Sequence, residues 1–135
     1  DSPTSRYLLN DAAVAAGKPL IAASSVGLSG QLTVYNLDGG PCLRCVYPTQ
    51  PGSDAAEAVG SCEEQGVLGP ICGIIGTLAA LEVVKVLSRS ALRKSCLNGR
   101  MLLYDAMDET PVRTMRIKRK TGCIGCGEDA GGLPT

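Results

Sequence analysis

The chain has 135 residues, the size of one domain, with 44% hydrophobic residues and a formal charge of zero from 13 basic and 13 acidic side chains. That balance points to a soluble, globular chain and leaves no electrostatic footprint for an acidic or basic partner. Four tyrosines stand without phenylalanine or tryptophan, so the core has to be aliphatic; seven cysteines, an odd number, argue for a reducing, cytoplasmic setting over a disulfide framework.

Polar capping residues open the chain, Ser2 or Thr4, with Pro3 where a first-turn proline sits. Leu8, Leu9, Ala12, Ala13 and Ala16 then recur at helical steps and Gly17 stops the run, which predicts an amphipathic helix over 1–18. Residues 19–25 (PLIAASS) and 30–36 (GQLTVYN) read as strands joined around Gly27 and Gly30. Residues 47–66, rich in proline, glycine, serine and acidic side chains, predict a long loop of the kind that is often functional.

From Pro70 to Leu87 isoleucine, leucine and valine leave few polar positions, which predicts a helix buried on most sides, with Cys72 among its core residues. Gly73 and Gly76 each cost such a helix roughly 1 kcal/mol relative to alanine, so they are expected where another backbone comes close. The longest uncharged run, residues 66–81, is broken by glycine and proline and is shorter than a span of about 20 residues; no membrane segment is expected, and DSPTSRY is not a signal peptide. A polar connection over 89–98 leads to two last strands, 101–105 (MLLYD) and 112–117 (VRTMRI). The order helix, two strands, loop, helix, two strands predicts an α/β layer with antiparallel hairpins at its edge.

The chemistry is concentrated in cysteine. Cys42 and Cys45 form one CxxC, Cys123 and Cys126 another, and no histidine exists to complete a mixed site. Two such knuckles far apart in sequence are the usual supply of a tetrahedral zinc site with bonds of roughly 2.3 Å, against the alternatives of a redox dithiol or two disulfides. Cys62 lies in the glycine- and serine-rich loop beside Glu63 and Glu64, which disfavour a thiolate, whereas Cys96 follows Arg93 and Lys94, which favour one. A nucleophilic Cys62 has to rely on proximity to an activated acyl group. Asp1 is a carboxylate just ahead of a helix N-terminus, where magnesium and phosphate chemistry gathers. The basic run Arg116, Lys118, Arg119 and Lys120 reads as a solvated strand edge rather than a nucleic-acid patch, since few aromatics are present to stack bases.

Taken together, DSPTSRYLLNDAAVAAGKPL, GLSGQLTVYNLDGGPCLRCVYP, SCEEQGVLGPICGIIGTLAALEVVKVL, GRMLLYDAMDE and TGCIGCGE resemble the C-terminal half of the ubiquitin-activating-enzyme-like adenylyltransferases, the family of MoeB and ThiF. Within it the likeness is greatest to the eukaryotic adenylyltransferase–sulfurtransferases. The resemblance implies part of a Rossmann-like α/β adenylation domain with mixed and antiparallel strands and a structural zinc clip over residues 1–127, with 128–135 a linker toward a sulfurtransferase domain. No GxGxxG-type loop occurs, so the phosphate-binding half of the family's ATP site is expected upstream, and the chain alone is expected to be inactive.

Carried over by position, the resemblance implies zinc on Cys42, Cys45, Cys123 and Cys126. It implies a thioester-forming cysteine at Cys62, and ATP and magnesium binding by Asp1 and Arg6. DSPTSR stands where the family has DNxxTR, so Ser2 and Ser5 replace an asparagine and a threonine. The implied activity is ATP-dependent adenylation of the C-terminal glycine of a ubiquitin-like sulfur carrier, a thioester on Cys62, and sulfur transfer to a thiocarboxylate for tRNA thiolation or molybdenum cofactor synthesis. The implied assembly is a cytoplasmic homodimer with a sulfurtransferase domain in cis or in trans. Two alternatives stand beside it: an enzyme that stops at the adenylate, and a non-catalytic zinc-ribbon module using the RIKRK run.

Overall fold

A computed structural model of the chain describes residues 2–48, 66–88 and 90–127. Helix α1 (Pro3–Ala15) starts where the Ser2 hydroxyl accepts the Ser5 N–H at 3.2 Å, with Pro3 in its first turn. It stops at Gly17, whose φ of +60° suits glycine. Asn36 then ties the helix end to the sheet, donating from Nδ2 to the carbonyls of Ala13 (3.2 Å) and Lys18 (2.9 Å).

The packed face of α1 differs from the expected leucine stripe. Tyr7 and Asn10 are buried and Val14 packs on the cysteine cluster, while Leu8 and Leu9 are exposed. The 7, 10, 14 spacing is still that of one helix face, but what it meets is a polar turn of backbone, which an asparagine satisfies and a leucine cannot.

Strands β1 (Leu20–Val26) and β2 (Ser29–Tyr35) form a hairpin through Gly27 and Leu28, with Val26 opposite Ser29. A one-turn helix α2 (Leu43–Val46) follows, then the long helix α3 (Gly69–Leu87) and a short 3₁₀ helix (Ala91–Ser95). Strands β3 (Arg100–Asp105) and β4 (Val112–Arg116) close the fold. All four strands are antiparallel neighbours in the order β1-β2-β3-β4, so among the described residues the two hairpins join into one sheet, which with its helices makes an α/β fold.

Helix α3 lies across β1 and β2 on one face. Its entry is pinned to the first hairpin, where Gly27 donates to the Gly66 carbonyl (2.9 Å) and Leu68 donates to that of Gly27 (3.0 Å). Close approach falls on Gly30, where an added Cβ would sit 2.4 Å from Ile75 Cγ1. The aliphatic core beneath the helix comprises Leu32, Val34, Leu37, Val86, Leu97 and Cys96. Cys96 is thus a core residue, and Cys72, expected there, is exposed.

The expectation of a helix buried on most sides is likewise overturned. Ile71, Ile75, Glu82 and Val86 face inward, while Ile74, Leu81, Val83, Val84 and Leu87 are exposed, because a single sheet layer offers the helix one face. Added Cβ atoms at Gly73 and Gly76 would meet nothing within 4 Å, so neither glycine serves a contact within the described chain. By length and composition alone α3 would also pass for a membrane span. Its buried Glu82 commits it to the sheet, accepting Leu97 N–H and Lys85 Nζ at 2.7 Å each.

Candidate metal centre

The first knuckle leaves β2 through a bend in which Asn36 and Asp38 take positive φ, and Asn36 N–H donates to the Pro41 carbonyl at 2.9 Å. Cys42 precedes α2 and Cys45 lies inside it, so a single turn of helix brings the two thiols together. The second knuckle turns at Gly122, with φ +66°, and the Gly127 N–H closes it on the Cys123 carbonyl at 2.7 Å. The structure brings together all four cysteines of the two CxxC pairs: their sulfurs lie within 4.8 Å of one another and are buried.

Three sulfur separations define the shape of the site: 3.9 Å for Cys42 to Cys45, 3.7 Å for Cys42 to Cys123 and 3.5 Å for Cys45 to Cys126. A tetrahedron with metal–sulfur bonds of about 2.3 Å has edges of about 3.8 Å, so the donor set fits one ion. A disulfide needs about 2.05 Å, and all four are free thiols.

Backbone donors are already aimed at the sulfurs. Lys120 N–H reaches Cys45 Sγ and Gly125 N–H reaches Cys123 Sγ, each at 3.4 Å. Burial alone would raise the Cys123 thiol, but the N–H groups of Gly125 and Cys126 and the neighbouring thiols outweigh it and bring it down to about 7. Burial pushes the Cys42 and Cys126 thiols up. In so tight a cluster Cys123 ionises readily while Cys42 and Cys126 resist, a resistance that a bound cation would reverse. Arg119, expected to be a solvated edge charge, instead donates to the carbonyls of Cys126 and Gly39 and ties the two knuckles together.

Helix α1 is bolted to the first knuckle by polar bonds. Asn10 Oδ1 accepts the Leu43 N–H at 2.8 Å, and the Asp11 carboxylate takes both Nε (2.8 Å) and Nη2 (2.7 Å) of Arg44. The bond to Arg44 holds the Asp11 carboxyl below its ordinary range. The Arg44 guanidinium lies 4.9 Å above the Tyr7 ring centre, a cation–π distance. Its stem covers Gly125, where a Cβ would come 2.7 Å from Arg44 Cδ. Reasoning from the sequence passed over Asn10, Asp11 and Arg44; the signal that marks them is a polar pair on the helix face shared with Tyr7 and Val14.

Arg6, one residue before Tyr7, lines a groove of about 490 Å³ between α1 and the sheet, together with Tyr7, Leu20, Ala22, Leu43 and Tyr47. Tyr7 closes one side by donating to the Tyr47 carbonyl at 3.1 Å. Asp1 and Cys62, with most of the 47–66 segment and residues 128–135, expected to be a linker, lie outside the described residues.

Comparison with known proteins agrees with this architecture. The chain is 47% identical over 129 residues to the Dictyostelium discoideum adenylyltransferase and sulfurtransferase MOCS3, a match covering 95% of this chain and 29% of that protein. Against the Arabidopsis thaliana protein of the same name it is 44% identical over 131 residues, covering 96% and 27%. The chain therefore spans less than a third of the length of these relatives.

Among solved structures, Escherichia coli MccB with MccA-N7isoASN superposes with a TM-score of 0.70 at 19% identity, over 95% of this chain and 39% of that one. MccB with ATP gives 0.65 at 18%, over 90% and 35%. At such identities the likeness is one of fold. The ThiF family model matches residues 1–125, the stretch that holds α1, the sheet, α3 and three of the four clustered cysteines, and the chain belongs to the ThiF family.

Proposed function

We propose that this chain is part of an enzyme that activates a ubiquitin-like sulfur carrier at its C-terminal glycine. The observation that carries the reading is 44–47% identity, across 95–96% of the chain, to proteins named as adenylyltransferases and sulfurtransferases. The placement of Arg6 in a groove beside the sheet supports it. A carboxylate oxygen of the carrier attacks the α-phosphorus of ATP, pyrophosphate leaves, and the poor electrophile becomes a mixed anhydride. Arg6, in the first turns of α1, and Asp1 hold the nucleotide and its magnesium in this step. The Cys62 thiolate then attacks the acyl carbon and AMP departs, leaving a thioester.

Sulfur enters by attack of a persulfide, supplied by a sulfurtransferase domain in cis or in trans, on that thioester. Cys62 leaves as thiol and an acyl disulfide forms, which a second thiol reduces to the thiocarboxylate while itself becoming half of a disulfide. The thiocarboxylate serves tRNA thiolation, molybdenum cofactor synthesis or both, in the cytoplasm, and the enzyme works as a homodimer.

The cation suited to four cysteines without histidine is zinc, held by Cys42, Cys45, Cys123 and Cys126. With four protein ligands the site has no open position, so its contribution is structural: it fixes both knuckles against α1. The zinc-ribbon alternative is weakened by Arg119, whose bonds to the Cys126 and Gly39 carbonyls take it from the basic run that would meet nucleic acid.

The test uses the full-length protein with ATP, magnesium and the carrier, analysed by non-reducing gel and mass spectrometry beside Cys62→Ala. A reducible adduct that vanishes in the variant, with carrier-dependent pyrophosphate exchange intact, is the expected result. Exchange without any adduct would leave an enzyme that stops at the adenylate; an adduct unchanged by the substitution would remove Cys62 from the pathway.

A further inference from the structure

We propose that Asn10 and Asp11 are positioning residues that make the nucleotide-facing start of α1 depend on the metal centre; the role of Arg6 in this proposal rests on the adenylation reading above. The first half of α1 is joined to the first knuckle by a set of directed bonds. Asn10, 1% exposed, accepts from Leu43, and Asp11 grips Arg44 with two bonds. Tyr7 lies under Arg44 and donates to the Tyr47 carbonyl, just past α2. The tie from Asn36 acts only on the far end, at Ala13 and Lys18. Leu8 and Leu9, which would otherwise fasten the helix by apolar burial, are exposed.

Leu43 and Arg44 are the two residues between Cys42 and Cys45. Their backbone positions are set by whether those two thiolates converge on one ion, and Arg44 is caught on its other side by Gly125, between the remaining two ligands. Arg44 therefore touches both knuckles and α1 at once. When the ion leaves, nothing draws the two sulfurs to a common centre, the turn carrying Leu43 and Arg44 loosens, and both polar grips on α1 slacken together. Arg6 sits one residue from Tyr7 on the same helical turn, so a shift of that turn moves Arg6 in the groove.

The experiment compares full-length wild type with Asp11→Asn, Arg44→Lys and, as a control at a distant ion pair, Asp108→Asn, whose carboxylate meets Arg113 at 3.0 Å. Three quantities are read: zinc transfer to a chromogenic chelator, amide hydrogen exchange of metal-loaded and stripped protein, and the KM for ATP against kcat in carrier-dependent pyrophosphate exchange. Loss of an outer-shell partner typically lowers metal affinity by about 10-fold or more, so Asp11→Asn and Arg44→Lys should release zinc several times faster while Asp108→Asn does not.

Stripping wild type should speed exchange in residues 3–11 while β2 and β3 stay protected, and both α1–knuckle variants should raise KM for ATP more than they lower kcat. Unchanged zinc release in both variants, or protection of residues 3–11 that survives stripping, would overturn the proposal. So would loss of protection in sheet and helix together, which is global unfolding. Wild type that supports no pyrophosphate exchange would sink the adenylation reading and the claim for Arg6 with it, whereas zinc release and hydrogen exchange would still decide the coupling of α1 to the metal centre.

Discussion

The two ends of this molecule are closed by different physics, and buried cysteine marks both. Under α3, Cys96 is 4% exposed among Leu32, Val34, Leu37, Val86 and Leu97, and acts as a small apolar side chain. At the other end Cys42 and Cys45 are equally buried, yet they meet sulfur, backbone N–H groups and the polar pair of α1. The first region is stabilised by area removed from water and tolerates no void; the second has little apolar area to bury and is held by directed bonds around four sulfurs spaced to share one ion. Burial of a cysteine thus says nothing of its role until its neighbours are known.

The largest expected effect that separates the two regions is removal of the metal by a chelator or by Cys126→Ala. Structural zinc supplies folding free energy outright, so calorimetry should show a fall in Tm of at least about 10 °C, with the loss of order centred on α1 and the knuckles. Leu32→Ala should cost about 2–5 kcal/mol by denaturant titration while zinc release stays at the wild-type rate. If it quickened zinc loss, the two regions would be one cooperative unit.

Glu82→Ala comes next, at about 1–3 kcal/mol, because the buried Leu97 N–H loses its acceptor. Glu82→Gln should recover part of that, since its amide oxygen still accepts. Acid separates the regions in another way. The Asp11 carboxyl is held down by its bond to Arg44, so the contribution of this pair is complete above the ordinary aspartate range and is lost as pH falls through the lowered value. Protons displace metal from thiolates at higher pH than that, so carboxyl titration by NMR should place the Asp11 midpoint below the pH at which zinc is released. An Asp11 midpoint above it would mean that the α1–knuckle bond fails first. The smallest effect is expected of Asp38→Asn: its pair with Arg93 is at the surface, and Tm should not move measurably.

Much of the fold could be read before the structure because the cues are local. Pro3, Gly17 and Gly27 punctuate the chain by their own φ preferences; both hairpins and α3 fall within a residue of expectation and α1 within three. The strand pairing was harder, since two hairpins can stand apart or join, and only the contact of β2 with β3 settles that they make one sheet. The bracket of Asn10, Asp11 and Arg44 was missed because its partners are 33 residues apart and no local rule connects them.

By itself the sequence determined which four cysteines gather, since CxxC spacing and the lack of histidine are properties of the covalent chain, and it determined the family through motifs kept in order. Only the tertiary structure decided which cysteine is core and which is surface. Cys72 and Cys96 both have apolar neighbours in sequence, but a helix over a single sheet hides one face only: Cys72 falls on the outer one, and Cys96 enters beneath α3 beside Leu97. Tertiary structure also decided that α1 turns Tyr7 and Asn10 inward rather than its leucines, because the surface awaiting it is a turn of backbone N–H groups and a guanidinium, which hydrogen bonds satisfy and apolar contact does not.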